Sequence, residues 1–389
     1  MQSIPRTALE TVRSLGRQFR VVVITGPRQA GKTTLARRAF PDHDYVSLED
    51  PDVRLLAEGD PRGFLVRHPG GVILDEVQRV PSLLSYLQTE VDAARRPGRF
   101  VLTGSSNLLM HAQVSQSLAG RACFVDLPTL SLAEAVSAGR GPKTPEEAVL
   151  RGGYPEVVAE GLDPVAWYGA YLASYVERDV RQLVQVRDLA AFQRFLRLCA
   201  ARVGQLWNRA AVGADAGVSA ATVDAWVSVL EASHVVFFLR PYHRNFGKRL
   251  TKSPKLYFHD PALAARLLGL STPAQVRDNP LWGALFENLA VSEVRKGFAN
   301  AGQVPPMWFW RDQRGSVEVD LVVEEAGLAR PFEIKAGQTV AGDWFAGLEA
   351  WRAWAGAAAG PAALIYGGRE AFTWKEWCRI VPWDVPWGG

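Results

Sequence analysis

Cysteine is scarce in this sequence: Cys123, Cys199 and Cys378 are the only three among 389 residues, and no two form a CxxC pair. That spacing excludes a thiolate metal site and a disulfide framework, and it fits a reducing compartment. Long apolar runs are lacking too. The longest, such as Val21 to Ile24 and Val235 to Leu239, are strand-sized, far short of the ~20 residues that a membrane helix needs. The first residues hold no apolar stretch ending in a small-residue cleavage site. The expectation is therefore no secretory signal, no membrane span and a cytoplasmic location. There is no internal repeat and no heptad run, which argues against solenoids and coiled coils. Neither sign of charge dominates, with 44 Lys and Arg against 40 Asp and Glu, a net +4. Such a balance permits a nucleic-acid partner without demanding one.

What is present fits a globular chain, with 48% hydrophobic and 22% charged residues. The length suggests roughly two to four domains. Residues 1–128 alternate short apolar strands with helices, the pattern of a parallel sheet covered on both faces. Residues 129–190 turn helical around Gly152-Gly153-Tyr154-Pro155 and read as a lid. Residues 191–275 read as helix, turn, helix, then two apolar strands, the plan of a winged helix. The loop between those strands carries His243, Arg244, Lys248, Arg249 and Lys252, spaced to follow a phosphate backbone, so DNA is the expected partner. Residues 276–389 form a fourth, mixed α/β unit.

The strongest signal is Gly26-Pro27-Arg28-Gln29-Ala30-Gly31-Lys32-Thr33, which matches G-x4-G-K-[ST] and is followed by Thr34. It follows an apolar strand and opens a helix, the context in which such a loop cradles phosphates. Lys32 is expected on the β and γ phosphates of ATP and Thr33 on Mg²⁺. Gly71-Val72-Ile73-Leu74-Asp75-Glu76 is the matching Walker B strand. Asp75 is expected to hold Mg²⁺ and Glu76 to polarise the attacking water. A third strand ends in Thr103-Gly104-Ser105-Ser106, and Ser105 or Ser106 could touch the γ-phosphate or simply cap a helix.

These motifs, with Leu118-Ala119-Gly120-Arg121 before the next strand, resemble an AAA+ ATPase. The resemblance implies that Arg121 acts in trans on a neighbour's γ-phosphate in a homo-oligomer; the alternative is a surface salt bridge. Arg151-Gly152-Gly153-Tyr154-Pro155-Glu156 resembles the lid motif of AAA+ relatives, which implies that Pro155 packs near adenine. Glu156 stands where a sensor arginine would, leaving Arg151 as its substitute.

In the last segment, Asp320 in Val317-Glu318-Val319-Asp320 precedes Phe332-Glu333-Ile334-Lys335, and Glu287 lies on a preceding helix. Strand alternation puts Glu333 and Lys335 on one face, so three acids and a lysine can converge. The set resembles the PD-(D/E)xK nuclease fold, and the whole chain resembles a bacterial and archaeal family joining an AAA+ domain to a winged helix and a nuclease-like end. Two functions follow as expectations. One is an ATP-driven enzyme acting on DNA, with branched or recombining DNA as the candidate substrate. The other is a nucleotide-dependent switch that binds a protein, with its last domain idle because Lys335 pairs with the acids.

Overall fold

The computed structural model describes residues 4–104, 114, 117–175, 188–243, 253–312 and 314–385. Five strands form the first sheet: β1 (Val21–Thr25), β2 (Asp44–Ser47), β3 (Val72–Asp75), β4 (Phe100–Thr103) and β5 (Ala122–Asp126). All pairings are parallel, in the order β2-β3-β4-β1-β5. β1 is an interior strand, between β4 and β5, and its Val-Val-Val-Ile-Thr side chains are buried on both faces. That explains a continuous rather than alternating apolar run. Helix α1 (Ala8–Gly16) and helix α2 (Lys32–Ala39) cover one face, where Val12 and Leu35 join Val22 and Ile24 in a common core.

Beyond residue 140 the structure joins what the sequence reading separates. Helix α3 (Pro145–Arg151), helix α4 (Pro155–Glu160) and helix α5 (Pro164–Tyr175) occupy the expected lid. Their buried side chains Val149, Tyr154 and Tyr168 share one core with residues as distant as Leu289 and Trp383. Helix α6 (Leu189–Ala201), helix α7 (Arg209–Ala216) and helix α8 (Ala220–Ala232) precede the antiparallel hairpin β6 (Val236–Pro241) and β7 (Lys255–Phe258). Gly217, in left-handed backbone at φ 75°, closes α7, and Ser219 caps α8 by accepting from the Thr222 amide.

The hairpin does not stand alone. β6 runs parallel to β8 (Met307–Arg311), pairing Arg240 with Trp308 and Pro241 with Phe309. It thereby extends the sheet built from β8, β9 (Glu318–Glu325), β10 (Leu328–Lys335), β11 (Ala362–Tyr366), β12 (Phe372–Trp374) and β13 (Cys378–Pro382). The result is one eight-stranded sheet in the order β12-β13-β11-β10-β9-β8-β6-β7. Helix α9 (Pro261–Leu267) follows the hairpin. The long helix α10 (Trp282–Asn300) crosses one face of the sheet, and helix α11 (Ala346–Ala355), with buried Trp351, covers the other. Among the described residues no helix is long and apolar enough to cross a membrane.

Candidate functional site

The loop between β1 and α2 is shaped by two glycines. Gly26 sits at φ 142°, and a Cβ there would lie 2.1 Å from the Leu127 carbonyl oxygen. Gly31 sits at φ 90°, where a Cβ would meet only ordinary contacts, Arg6 and Pro155 at 3.9 Å, so its need is conformational. Gln29 also takes left-handed backbone, at φ 58°. Lys32, on the first residue of α2, is buried and folds back onto its own loop. Its Nζ donates to the Gly26 carbonyl at 3.0 Å and the Pro27 carbonyl at 2.8 Å. Burial pulls its pKa down to about 8, against the opposing pull of Glu76 and Asp75.

Asp75, at the end of β3, is where the site converges. The Thr33 hydroxyl donates to its two oxygens at 3.1 and 3.0 Å. The Tyr45 hydroxyl, from β2, donates at 2.8 Å, and the Thr103 hydroxyl, from the end of β4, donates as well. Tyr45 is pushed up to about 12, first by burial and then by Asp75, so it remains a donor at neutral pH. Arg37 sits over its ring at 4.7 Å. Glu76 follows in left-handed backbone at φ 55°, unusual for a glutamate, and accepts from the Gln78 amide.

Neither Tyr45 nor Arg6 stands out in the sequence, yet Arg6 also serves the site. It links the loop to the strand-to-lid connection, donating to Ala30 O at 2.7 Å and Pro128 O at 2.7 Å while pairing with Glu134 at 3.1 Å. Beside it lies an apolar cavity lined by Ile4, Leu9, Thr34, Leu35, Leu130 and Pro155. Thr34 and Pro155 thus fall at one pocket, adjoining Gly31. Arg151 does not line that pocket. It lines another crevice with Glu293 and Lys296, and burial lowers its pKa. Arg121 takes the alternative reading within one chain: Nε and Nη2 hold Asp92 at 2.7 and 2.8 Å. Ser105 and Ser106 lie outside the described residues.

The connection behind this pocket is held by later parts of the chain. Lys296 Nζ, on α10, donates to Leu130 O at 3.0 Å, and Glu293 accepts from the Leu132 amide at 2.7 Å. Asp260, fully buried ahead of α9, accepts from the Gly153 amide at 2.8 Å and the Thr129 hydroxyl at 3.1 Å. Leu130 N closes the turn on Gly153 O at 2.7 Å.

In the second sheet Asp320, Glu333 and Lys335 do converge, but as a closed set. Lys335 Nζ pairs with Glu333 and, at 3.5 Å, with Asp320, whose other contact is the Ile334 amide at 2.8 Å. Glu287, on α10, is held by Lys255 at 3.0 Å and by the Tyr257 hydroxyl, and Lys255 also pairs with Glu318. Burial, then the neighbouring Asp320, pushes the Glu333 carboxyl well above the usual carboxylate range, and burial raises Glu287 as well. Burial alone would lower Lys335, but Asp320 and Glu333 outweigh it and raise it. Among the described residues no group of three or more His, Cys, Asp or Glu side chains is arranged to hold a metal ion. Lys255 was legible as an oddity, a lysine inside the apolar strand Lys255-Leu256-Tyr257-Phe258. Of the basic hairpin loop only His243 is described; Arg244, Lys248, Arg249 and Lys252 lie outside the described residues.

A five-stranded parallel sheet with β4 between the two Walker strands, a phosphate loop running into α2, and an Asp-Glu pair at the strand end define a nucleotide-binding P-loop ATPase of the AAA+ type. The AAA domain family matches residues 18–136. Two domains of unknown function, DUF8612 and DUF4143, match residues 143–274 and 282–385. The uncharacterized protein Rv2008c of Mycobacterium tuberculosis is 33% identical over 339 residues, 86% of this chain and 74% of its own length. The uncharacterized protein Mb2031c of Mycobacterium bovis aligns with the same figures. This chain belongs to their family. Among solved structures, the Walker-type ATPase PABY2304 of Pyrococcus abyssi is similar with TM-score 0.45 at 14% identity, covering 67% of this chain and 94% of that one. A RuvB variant of Thermotoga maritima aligns with TM-score 0.30 at 18% identity, covering 59% and 85%.

Proposed function

We propose that this chain hydrolyses ATP with Mg²⁺ and works as a homo-oligomer on DNA. The observation that most supports hydrolysis is the convergence of Thr33, Tyr45 and Thr103 on Asp75, with Glu76 adjoining. Thr33 and Asp75 have the hard oxygen donors that suit Mg²⁺, which when bound would offset phosphate charge. Lys32 leaves the Gly26 and Pro27 carbonyls for the β and γ phosphates, and an approaching phosphate favours its charged form further, against the pull of burial. The backbone of Gly26 to Thr34 wraps the phosphates, and Glu76 orients water. Ser105 or Ser106 completes the γ-phosphate contact. The cavity at Leu130 and Pro155 takes the base. A neighbour's Arg121, released from Asp92, completes the site, which is the reason for an oligomer.

The order of helix, turn, helix and hairpin supports a winged helix, whose second helix and basic loop would contact DNA. The helix acid, strand aspartate and Glu-x-Lys support a PD-(D/E)xK-like module. No cleavage step is assigned to it, because the acids are already occupied by ion pairs with Lys255 and Lys335. That closed set favours a second reading, a nucleotide-dependent switch that binds a protein through an idle last domain.

ATP turnover measured with duplex, single-stranded and four-way-junction DNA separates the two. Stimulation by DNA supports the first; slow turnover indifferent to DNA, with ADP retained, supports the second. Lys32→Ala is the control, expected to weaken nucleotide binding tenfold or more, since one charged hydrogen bond contributes about 1.5–3 kcal/mol.

A further inference from the structure

A cavity of about 370 Å³ lies away from both sites, half open to solvent between α10 and the second sheet. That size falls in the range of small-ligand pockets. Phe332 on β10, Ala363 on β11 and Arg379 on β13 lie side by side in register. Arg330 and Val381 stand two residues along, on the same face. Glu333, next to Phe332, therefore belongs to the opposite face, so this cavity is separate from the acid and lysine cluster.

The cavity exists because small residues meet there: Ala363 on the sheet, with Gly297 and Ala301 on the helix. Its walls are apolar, chiefly Val294, Phe298, Phe332 and Val381. An empty apolar void forfeits the dispersion contacts its lining would otherwise make. Its polar end is built from two arginines. Arg330 pairs with Glu325 at 3.2 Å through Nη1 and lies over the Phe332 ring at 5.6 Å, yet its Nε is buried without a hydrogen-bond partner. Arg379 is solvent-exposed, and its guanidinium makes no hydrogen bond or ion pair among the described residues, so it is free to turn toward an anion at the cavity mouth.

A buried guanidinium N–H without an acceptor is costly, and a carboxylate or phosphate matches its fork. Two arginines against one glutamate leave a single positive charge, so a monoanion balances the site. We propose that this cavity binds a small amphiphilic monoanion, its apolar body between α10 and the sheet and its carboxylate between Arg330 and Arg379. Neither the nucleotide site nor the DNA reading is needed for it.

The test uses the full chain with three probes below their micelle concentrations: decanoate, decyl phosphate and decanol. Calorimetric binding and the melting temperature are both read, because a ligand of the folded state raises the latter by mass action. Decanoate is expected to bind at least tenfold more tightly than decanol. Arg379→Ala should bring decanoate down to the decanol level. Val294→Trp should abolish binding by filling the cavity, and Ala363→Leu does the same with a smaller change should the first variant fail to fold. A parental near-ultraviolet circular dichroism spectrum, dominated by the tryptophans of the second sheet region, shows that each variant is folded. Equal binding of decanoate and decanol overturns the anion assignment, and tighter decyl phosphate overturns the monoanion. Decanoate binding that survives in the filled variants, or no binding by any probe, overturns the site itself.

Discussion

The Tyr45 hydroxyl donates a 2.8 Å hydrogen bond to Asp75, so a strand at the edge of the sheet holds the Walker B carboxylate. Asp75 also serves Thr33 and Thr103, which leaves few lone pairs for metal-bound water. Tyr45→Phe removes one competitor worth about 1 kcal/mol. The Mg²⁺ concentration for half-maximal nucleotide binding should fall about fivefold. A higher requirement would mean that Tyr45 supports the metal instead of competing with it.

Glu76→Gln should bind ATP with parental affinity and lose about 10²–10⁴-fold in turnover, the usual contribution of a general base. Steady-state ATPase and filter binding measure the two halves. Parental turnover in this variant would remove Glu76 from the mechanism.

Arg121→Ala loses the pair with Asp92, but its larger effect should be on turnover, on the scale of ~10³–10⁵-fold for an arginine acting across an interface. Mixing Arg121→Ala with Glu76→Gln should restore part of the activity, because some interfaces then hold two intact halves. A monomer under all nucleotide conditions, with no restoration on mixing, leaves Arg121 as the surface ion pair seen in the single chain.

Asp260→Asn keeps the shape but weakens the acceptors of Gly153, Thr129 and Tyr168. A hydrogen bond to a charged acceptor contributes about 1.5–3 kcal/mol, and the conservative amide should lose only part of that. ATP affinity should fall as well, since Gly153 closes the turn at Leu130 on the wall of the base cavity. Unchanged affinity in a folded variant would disconnect that turn from the nucleotide.

The acid and lysine cluster sets a pH dependence. Glu333 is held up at about 8 in the fold against an ordinary 4.5. A carboxyl raised on folding favours the native state below its unfolded pKa and loses that contribution as pH rises through its folded one. Stability should therefore decline between about pH 4.5 and 8, and Glu333→Gln should flatten the decline in denaturant melts taken across that window. A slope that steepens in the variant would place the titration elsewhere.

The phosphate site was legible because its parts are contiguous: Gly26 to Thr33 and Gly71 to Glu76 each carry their own context. Tyr45 and Arg6 were not, because each reaches its partner through tertiary packing. Arg6 meets Glu134 at a separation of 128 residues. The convergence of Asp320, Glu333 and Lys335 followed from strand alternation, but the pairing of Glu287 with Lys255 depended on where the hairpin docks. Nothing in the spacing of β6 and β7 foretells that β6 pairs with β8, since strand pairing is chosen by the faces that remain to be buried. The lid likewise read as a separate unit because helical period reports which face is buried, not against what.

The seam between the two families of unknown function falls between residues 274 and 282, yet the eight-stranded sheet runs across it. Cutting the chain there would strip β8 of its neighbour and leave the Met307–Arg311 edge as an open template for foreign strands. It would also strand Lys255 on one fragment and Glu287 on the other, each a buried charge without its counter-ion. The two segments are thus tied as a single heritable unit, and a recombination event that shuffled one without the other would yield two chains prone to aggregate instead of two working modules.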